Sequence, residues 1–233
     1  MLEQSKLTSF MERFFGYGNL SAEIWFVGME EGGGDSLAEI VRRLEIWDEL
    51  EKPTVADLFQ FHDRLGKLQY FSGAKPKLQA TWKMLARYAL SSEGAATDTQ
   101  SVRSFQAQRL GREDSNTCLL ELLPLPSPST SHWMYSELTN MPELKTRSHY
   151  RKVMIPRRIK QIRELIDRNK PKVVVFYGKT YTAHWMEIAG GSCHWHAIDG
   201  GLASESNGVS YEIRPHPAAF GVRKQHFEVS RSV

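Results

Sequence analysis

The chain has 233 residues, 41% of them hydrophobic and 24% charged, with a formal net charge of +3. That supplies one core of domain size and is too mixed for a disordered or fibrous chain, so a single domain over 1–233 is expected. No apolar run is long enough to span a membrane, the N-terminus lacks the apolar stretch of a secretory signal, and Cys118 and Cys193 are too few for a disulfide framework, so a soluble, cytoplasmic protein is expected.

In chain order, residues 1–20 predict a short helix with Phe10, Phe14 and Phe15 inward, ended by Gly16 and Gly18. Ile24 to Val27 is an apolar run of strand type. It breaks at Gly28-Met29-Glu30-Glu31-Gly32-Gly33-Gly34, and Leu37, Ile40, Val41, Leu44 and Trp47 then recur at helical spacing. Asp35 or Ser36 can cap that helix. The pattern is strand, tight glycine turn, helix; in open α/β sheets such turns lie at the ligand-binding edge. Pro53 is read as the start of a second helix, and Leu78, Trp82, Leu85 and Leu90 mark a third, so that about 53–100 forms a helical insertion. Residues 91–100 read as a loop.

Thr117 to Leu123 is a second strand, apolar on both faces except for Glu121, a carboxylate that must find a partner, take a proton or serve a ligand. Pro124–Ser131 leaves it as a rigid loop able to wall a pocket. Pro156 is read as opening a basic helix. Val173–Tyr177 is a third strand ending at Gly178. Gly178-Lys179-Thr180 resembles the tail of a P-loop, but Val173 stands where that motif needs glycine. Cys193, His194 and His196 fit no common zinc spacing, and no metal or cofactor is expected. Tyr211–Pro215 is a fourth strand, followed by His216-Pro217-Ala218.

Strands alternating with helices predict an α/β fold: three layers, α/β/α, around a mostly parallel four-stranded central sheet. Two strand ends bring chemistry, Glu30 and Glu31 from the first and His216 from the last. Charge is uneven. Residues 1–60 hold 12 acids against 5 Lys/Arg, whereas residues 145–172 hold 11 Lys/Arg against 2 acids, which points to a polyanionic partner or a solvated helix face.

The two strand-end motifs together resemble the uracil-DNA glycosylase superfamily. Gly28-Met29-Glu30-Glu31-Gly32 is similar to its first motif, nearest the Gly-Met-Asn-Pro-Gly form of the single-strand-selective branch, and His216-Pro217-Ala218 to its His-Pro-Ser. Glu121-Leu122-Leu123-Pro124-Leu125 stands where that branch has Asn-x-x-Pro-Leu. The resemblance implies a monomeric DNA glycosylase acting on a flipped-out base. Glu30, or else Glu31, would stabilise the cationic sugar, and His216 the departing base. Glu121 would read the base, with Met29 beside it and Phe26, Trp133 or Tyr135 stacking on it. Phe220 would wedge into the duplex, and Arg147, Arg151, Lys152, Arg157, Arg158, Lys160, Lys179 and Arg223 would follow the phosphates. Glu121 in place of asparagine shifts the expected base from uracil to a cytosine-type, modified base, because an acidic side chain accepts from the cytosine amine. Repair and defence against phages with modified DNA are both compatible roles. A glycosylase-fold binder without activity and a nucleoside or nucleotide hydrolase are the competing readings.

Overall fold

A computed structural model of the chain describes residues 2–129, 131–191 and 193–229. The four expected strands form: β2 (Ile24–Glu30), β4 (Thr117–Leu123), β5 (Val173–Tyr177) and β8 (Val209–Arg214). They lie side by side in the order β4-β2-β5-β8, each parallel to its neighbour. Their nearly continuous burial explains the unbroken apolar runs.

The sheet is nevertheless larger than a four-stranded one, and mixed. On the β4 side, β1 (Gly16–Gly18) adds antiparallel and β3 (Val55–Ala56) pairs parallel with β1. On the β8 side, β7 (Gly201–Ser206) and β6 (His196–Ile198) add antiparallel. Eight strands thus replace the expected four. Residues 16–18 are accordingly strand rather than a helix stop. Cys193 and His194 lie outside β6; the Cys193 Sγ sits 3.3 Å from the Ala189 carbonyl.

Three helix boundaries also differ from expectation. Pro53 does not start a helix: residues 55–56 are strand, and α3 (Leu58–Arg64) starts after Asp57, whose carboxylate accepts from Gln60 N–H. Within 91–100, α4 (Trp82–Ser92) ends, and Asp98 caps α5 (Thr99–Gln108). The basic helix α7 runs Arg147–Asn169, capped by Thr146, so Pro156 lies inside it rather than at its start. The remaining helices are α1 (Gln4–Arg13), α2 (Leu37–Glu49), α6 (Tyr135–Leu138) and α8 (Thr182–Ala189). No helix is long and apolar enough to cross a membrane among the described residues.

Two consequences position the site. β2 has β4 on one side and β5 on the other, so the connections diverge there and open a crevice at the strands' carboxyl ends. α7 leads through Lys170–Lys172 into the amino end of β5. Its N-terminus therefore stands at the carboxyl edge of the sheet, and its C-terminal half recedes toward the opposite edge.

Candidate active site at the carboxyl edge of the sheet

Glu121 on β4, Gly28 on β2 and Tyr177 on β5 form one row across three strands. Gly28 is in register with Glu121, and Val27 with Phe176 one residue earlier. Tyr177 Oη donates to Glu121 Oε1 at 2.9 Å. A Cβ at position 28 would collide with the Tyr177 ring and with Glu121 Oε2, so only glycine lets these side chains meet over β2. Burial pushes the Glu121 carboxyl up to about 8, opposed by the Tyr177 hydrogen bond and reinforced by Glu31 and Glu30. Its Oε1 accepts from Tyr177; its Oε2 is buried without a partner among the described residues.

Glu30, at the end of β2, pairs through Oε1 with Arg147 Nη2, at the first turn of α7. Its Oε2 is buried without a partner among the described residues. Burial raises the Glu30 carboxyl above its ordinary value, against the pull of Arg147 and Arg151. Arg147 is therefore a partner of the carboxylate, not a free phosphate contact. Of six buried side-chain polar atoms without a hydrogen-bond partner among the described residues, five lie on Glu30, Arg147, His132, Glu121 and Arg158. Buried polar groups are nearly always satisfied, so this concentration marks a region built to meet a ligand or water.

Glu31, next in the chain, has a different setting. Its carboxylate accepts from Tyr17 Oη at 2.7 Å and pairs with Arg43 at 3.0 Å and His62 Nε2 at 3.3 Å. Burial alone would raise it, but Arg43, His62 and Tyr17 together hold it at about 2. His62 Nδ1 lies 2.9 Å from the Leu58 carbonyl, so both ring nitrogens face acceptors. Arg43 also pairs with Glu39, and Glu39 Oε1 accepts from Gly34 N–H at 3.2 Å. This network clamps the glycine turn and leaves no Glu31 oxygen unpartnered. Glu31 is the anchor of the turn; Glu30 carries the available oxygen. The Pro124–Ser131 loop, where described, closes on the same turn: Ser127 N–H donates to the Glu31 carbonyl at 3.0 Å.

His216 follows β8 and is exposed, its ring 5.9 Å from that of Tyr177. Its Nδ1 accepts from Ala218 N–H at 3.2 Å. Desolvation lowers its basicity, and in the neutral ring the proton then sits on Nε2, a donor. Phe220, four residues on, is 107% exposed and packs in no helix.

The other expected site residues separate. Phe26 is fully buried edge-on against Tyr88, and Tyr135 is buried with Oη on the Pro126 carbonyl. Both are core, and neither can stack on a ligand. Met29 is also buried. Trp133 is half-buried, 4.8 Å from Tyr135, with Arg147 5.9 Å from its ring. Arg158 is fully buried: it donates to the Leu122 and Glu121 carbonyls at 3.1 and 2.9 Å and stacks 3.6 Å over Phe15. Burial pushes its guanidinium down to about 9. It braces β4 and cannot touch a phosphate. Arg157 and Lys160 are exposed, but ten and thirteen residues beyond Arg147 they stand roughly 15 and 20 Å along the helix from the site. Arg151, whose guanidinium lies 5.7 Å from the Tyr181 ring, Lys152 one residue on, Lys179 just beyond β5 and Arg223 beyond β8 stay nearer the carboxyl edge.

Sequence reasoning missed Tyr177, Arg43, His62 and Tyr17. Tyr177 had one signal, a polar aromatic closing an apolar strand just before glycine. Comparison of the chain with protein-family models, with curated proteins and with solved structures finds no match.

Proposed function

We propose that the chain is a DNA glycosylase that hydrolyses the N-glycosidic bond of a flipped-out cytosine-type base, a modified cytosine above all, with its strands arranged as in the uracil-DNA glycosylase superfamily. The observation that carries this reading is the pair of carboxyls, Glu30 and Glu121. Each keeps one buried oxygen without a partner among the described residues at the carboxyl edge, and burial raises the proton affinity of both.

In this reading Glu30 Oε2 faces the sugar. Its raised proton affinity suits it to take a proton from the attacking water, and its charge stabilises the oxocarbenium-like sugar as the bond to the base breaks. Arg147 positions Glu30 through the other oxygen. The electron pair of the broken bond passes to the base, whose O2 accepts from His216 Nε2–H. Glu121 reads the base edge: Oε2–H donates to the ring nitrogen N3, and Oε1 keeps a lone pair for the exocyclic amine. Uracil would oppose its N3–H to that Oε2–H and its O4 to the Oε1 lone pair, and the substituent of a modified base adds further selectivity. Phe220 fills the stack left by the flipped base. Unmodified cytosine is too abundant to remove safely, which favours a monomeric cytoplasmic enzyme directed against phage DNA with modified bases over general repair.

A second reading, a nucleic-acid binder on the same fold without activity, is favoured by the Arg147–Glu30 pair, since a neutralised carboxylate is a weaker catalyst. Mass spectrometry of free bases separates the two. Incubation with DNA containing 5-hydroxymethylcytosine, plain or glycosylated, is expected to release the modified base. Tight binding with no base released from any DNA would replace this reading with the second.

A further inference from the structure

A cleft of about 350 Å³ lies between the α4–α5 pair and the loop that carries His216. Met84, Val102 and Pro217 line its apolar part. Lys83 and Lys224 stand on it, and among the described residues neither forms an ion pair. Arg87, also in the wall, is buried and committed to Glu228 at 2.8 Å. Among the described residues, no carboxylate lines the cleft. Two uncompensated ammonium groups flanking an apolar hollow suit an anion that carries an apolar ring. The volume, at the small end of ligand pockets, matches one small organic group.

We propose that this cleft is a nucleotide subsite: Lys83 and Lys224 hold a phosphate, and the sugar or base lies over Met84, Val102 and Pro217. Pro217 adjoins His216, so a nucleotide seated here neighbours the one whose base is released. The subsite is built from α4, α5 and the segment after His216, and is separate from α7. It rests on the proposed function only in assigning the phosphate to a DNA strand; a free nucleotide presents the same chemistry.

The test is binding, not base release, so it is independent of catalysis. Wild type and the double variant Lys83→Gln/Lys224→Gln are compared by anisotropy on a single-stranded oligonucleotide without modified bases over a salt series. The same proteins are titrated with dAMP by calorimetry. Both lysines are at least partly exposed, and an unchanged melting temperature checks that the fold is intact. With both lysines on one phosphate of the strand, the log–log salt slope falls by about 0.7, and affinity in 0.1 M salt drops by roughly 10-fold or more. Loss of dAMP binding with oligonucleotide binding unchanged assigns the cleft to a free nucleotide. Wild-type binding to the oligonucleotide that is unaltered in the variant, with dAMP binding also unaltered or absent, overturns the subsite and leaves the glycosylase reading standing. Wild-type binding to neither overturns the subsite, while base release from modified DNA remains the test of the glycosylase reading.

Discussion

Replacing Glu121 by glutamine tests the electrostatics of the site through stability alone. Glutamine keeps the acceptor for Tyr177 Oη but cannot ionise. The wild-type carboxyl releases its proton near 4.5 in the unfolded chain and only near 8 when folded. Between these values the folded state binds the extra proton, so wild-type stability is full at low pH and declines as pH rises toward 8. Each pH unit in that window costs about 1.4 kcal/mol. From pH 5.5 to 7.5 the wild type should therefore lose roughly 2–3 kcal/mol relative to Glu121→Gln. For a chain of this length a change of 1 kcal/mol moves the melting temperature by roughly 2–4 °C, so the gap between the two proteins should change by roughly 4–12 °C. The raised carboxyl of Glu30 is common to both and cancels. The assay is thermal melting by circular dichroism at half-unit pH steps. Melting curves that shift in parallel with pH would show that Glu121 is ionised in the folded protein, and would remove the proton on which base reading depends.

Three further outcomes are expected. Glu30→Gln should lower the single-turnover rate of base release by roughly 10²-fold or more while DNA binding survives, since one electrostatic or acid–base group is typically worth that much; an unchanged rate would exclude Glu30. His216→Ala should slow base release with melting altered by no more than about 2 °C, because the ring is exposed; matched losses of stability and rate would make it a structural residue. Arg158→Met should destabilise by roughly 2–4 kcal/mol by leaving the Leu122 and Glu121 carbonyls unpaired, whereas Arg157→Gln/Lys160→Gln should change neither melting nor the salt slope of DNA binding. A reduced slope in that double variant would put the receding half of α7 back on the DNA path.

The four central strands were legible because burial on both faces demands continuous apolar runs, and their ends were legible as abrupt changes to glycine, carboxylate or His-Pro. The added edge strands were not. β3 is two residues long, β1 is Gly-Tyr-Gly, and β7 mixes serine and glutamate because it is only partly covered. The N-terminal half of α7 was hidden by Pro156, which reads as a helix start but is tolerated inside a long helix packed on β4. Arg158 could have been placed from periodicity: it falls on the stripe of Ile155, Ile159 and Ile162, while Arg157 lies off it. The separation of Glu30 from Glu31 was beyond the sequence. The partners that settle it, Arg43, His62, Tyr17 and Arg147, come from four elements far apart in the chain, and no local pattern records where those elements meet.

The central claim is that Glu121 makes this site a reader of cytosine-type bases. The most direct measurement is single-turnover base release from two otherwise identical oligonucleotides, one with 5-hydroxymethylcytosine or its glycosylated form and one with uracil, by wild type and Glu121→Asn. Wild type is expected to release the cytosine derivative in preference to uracil, and Glu121→Asn to shift that preference toward uracil. Efficient uracil release by wild type, with none from any cytosine derivative, would contradict it.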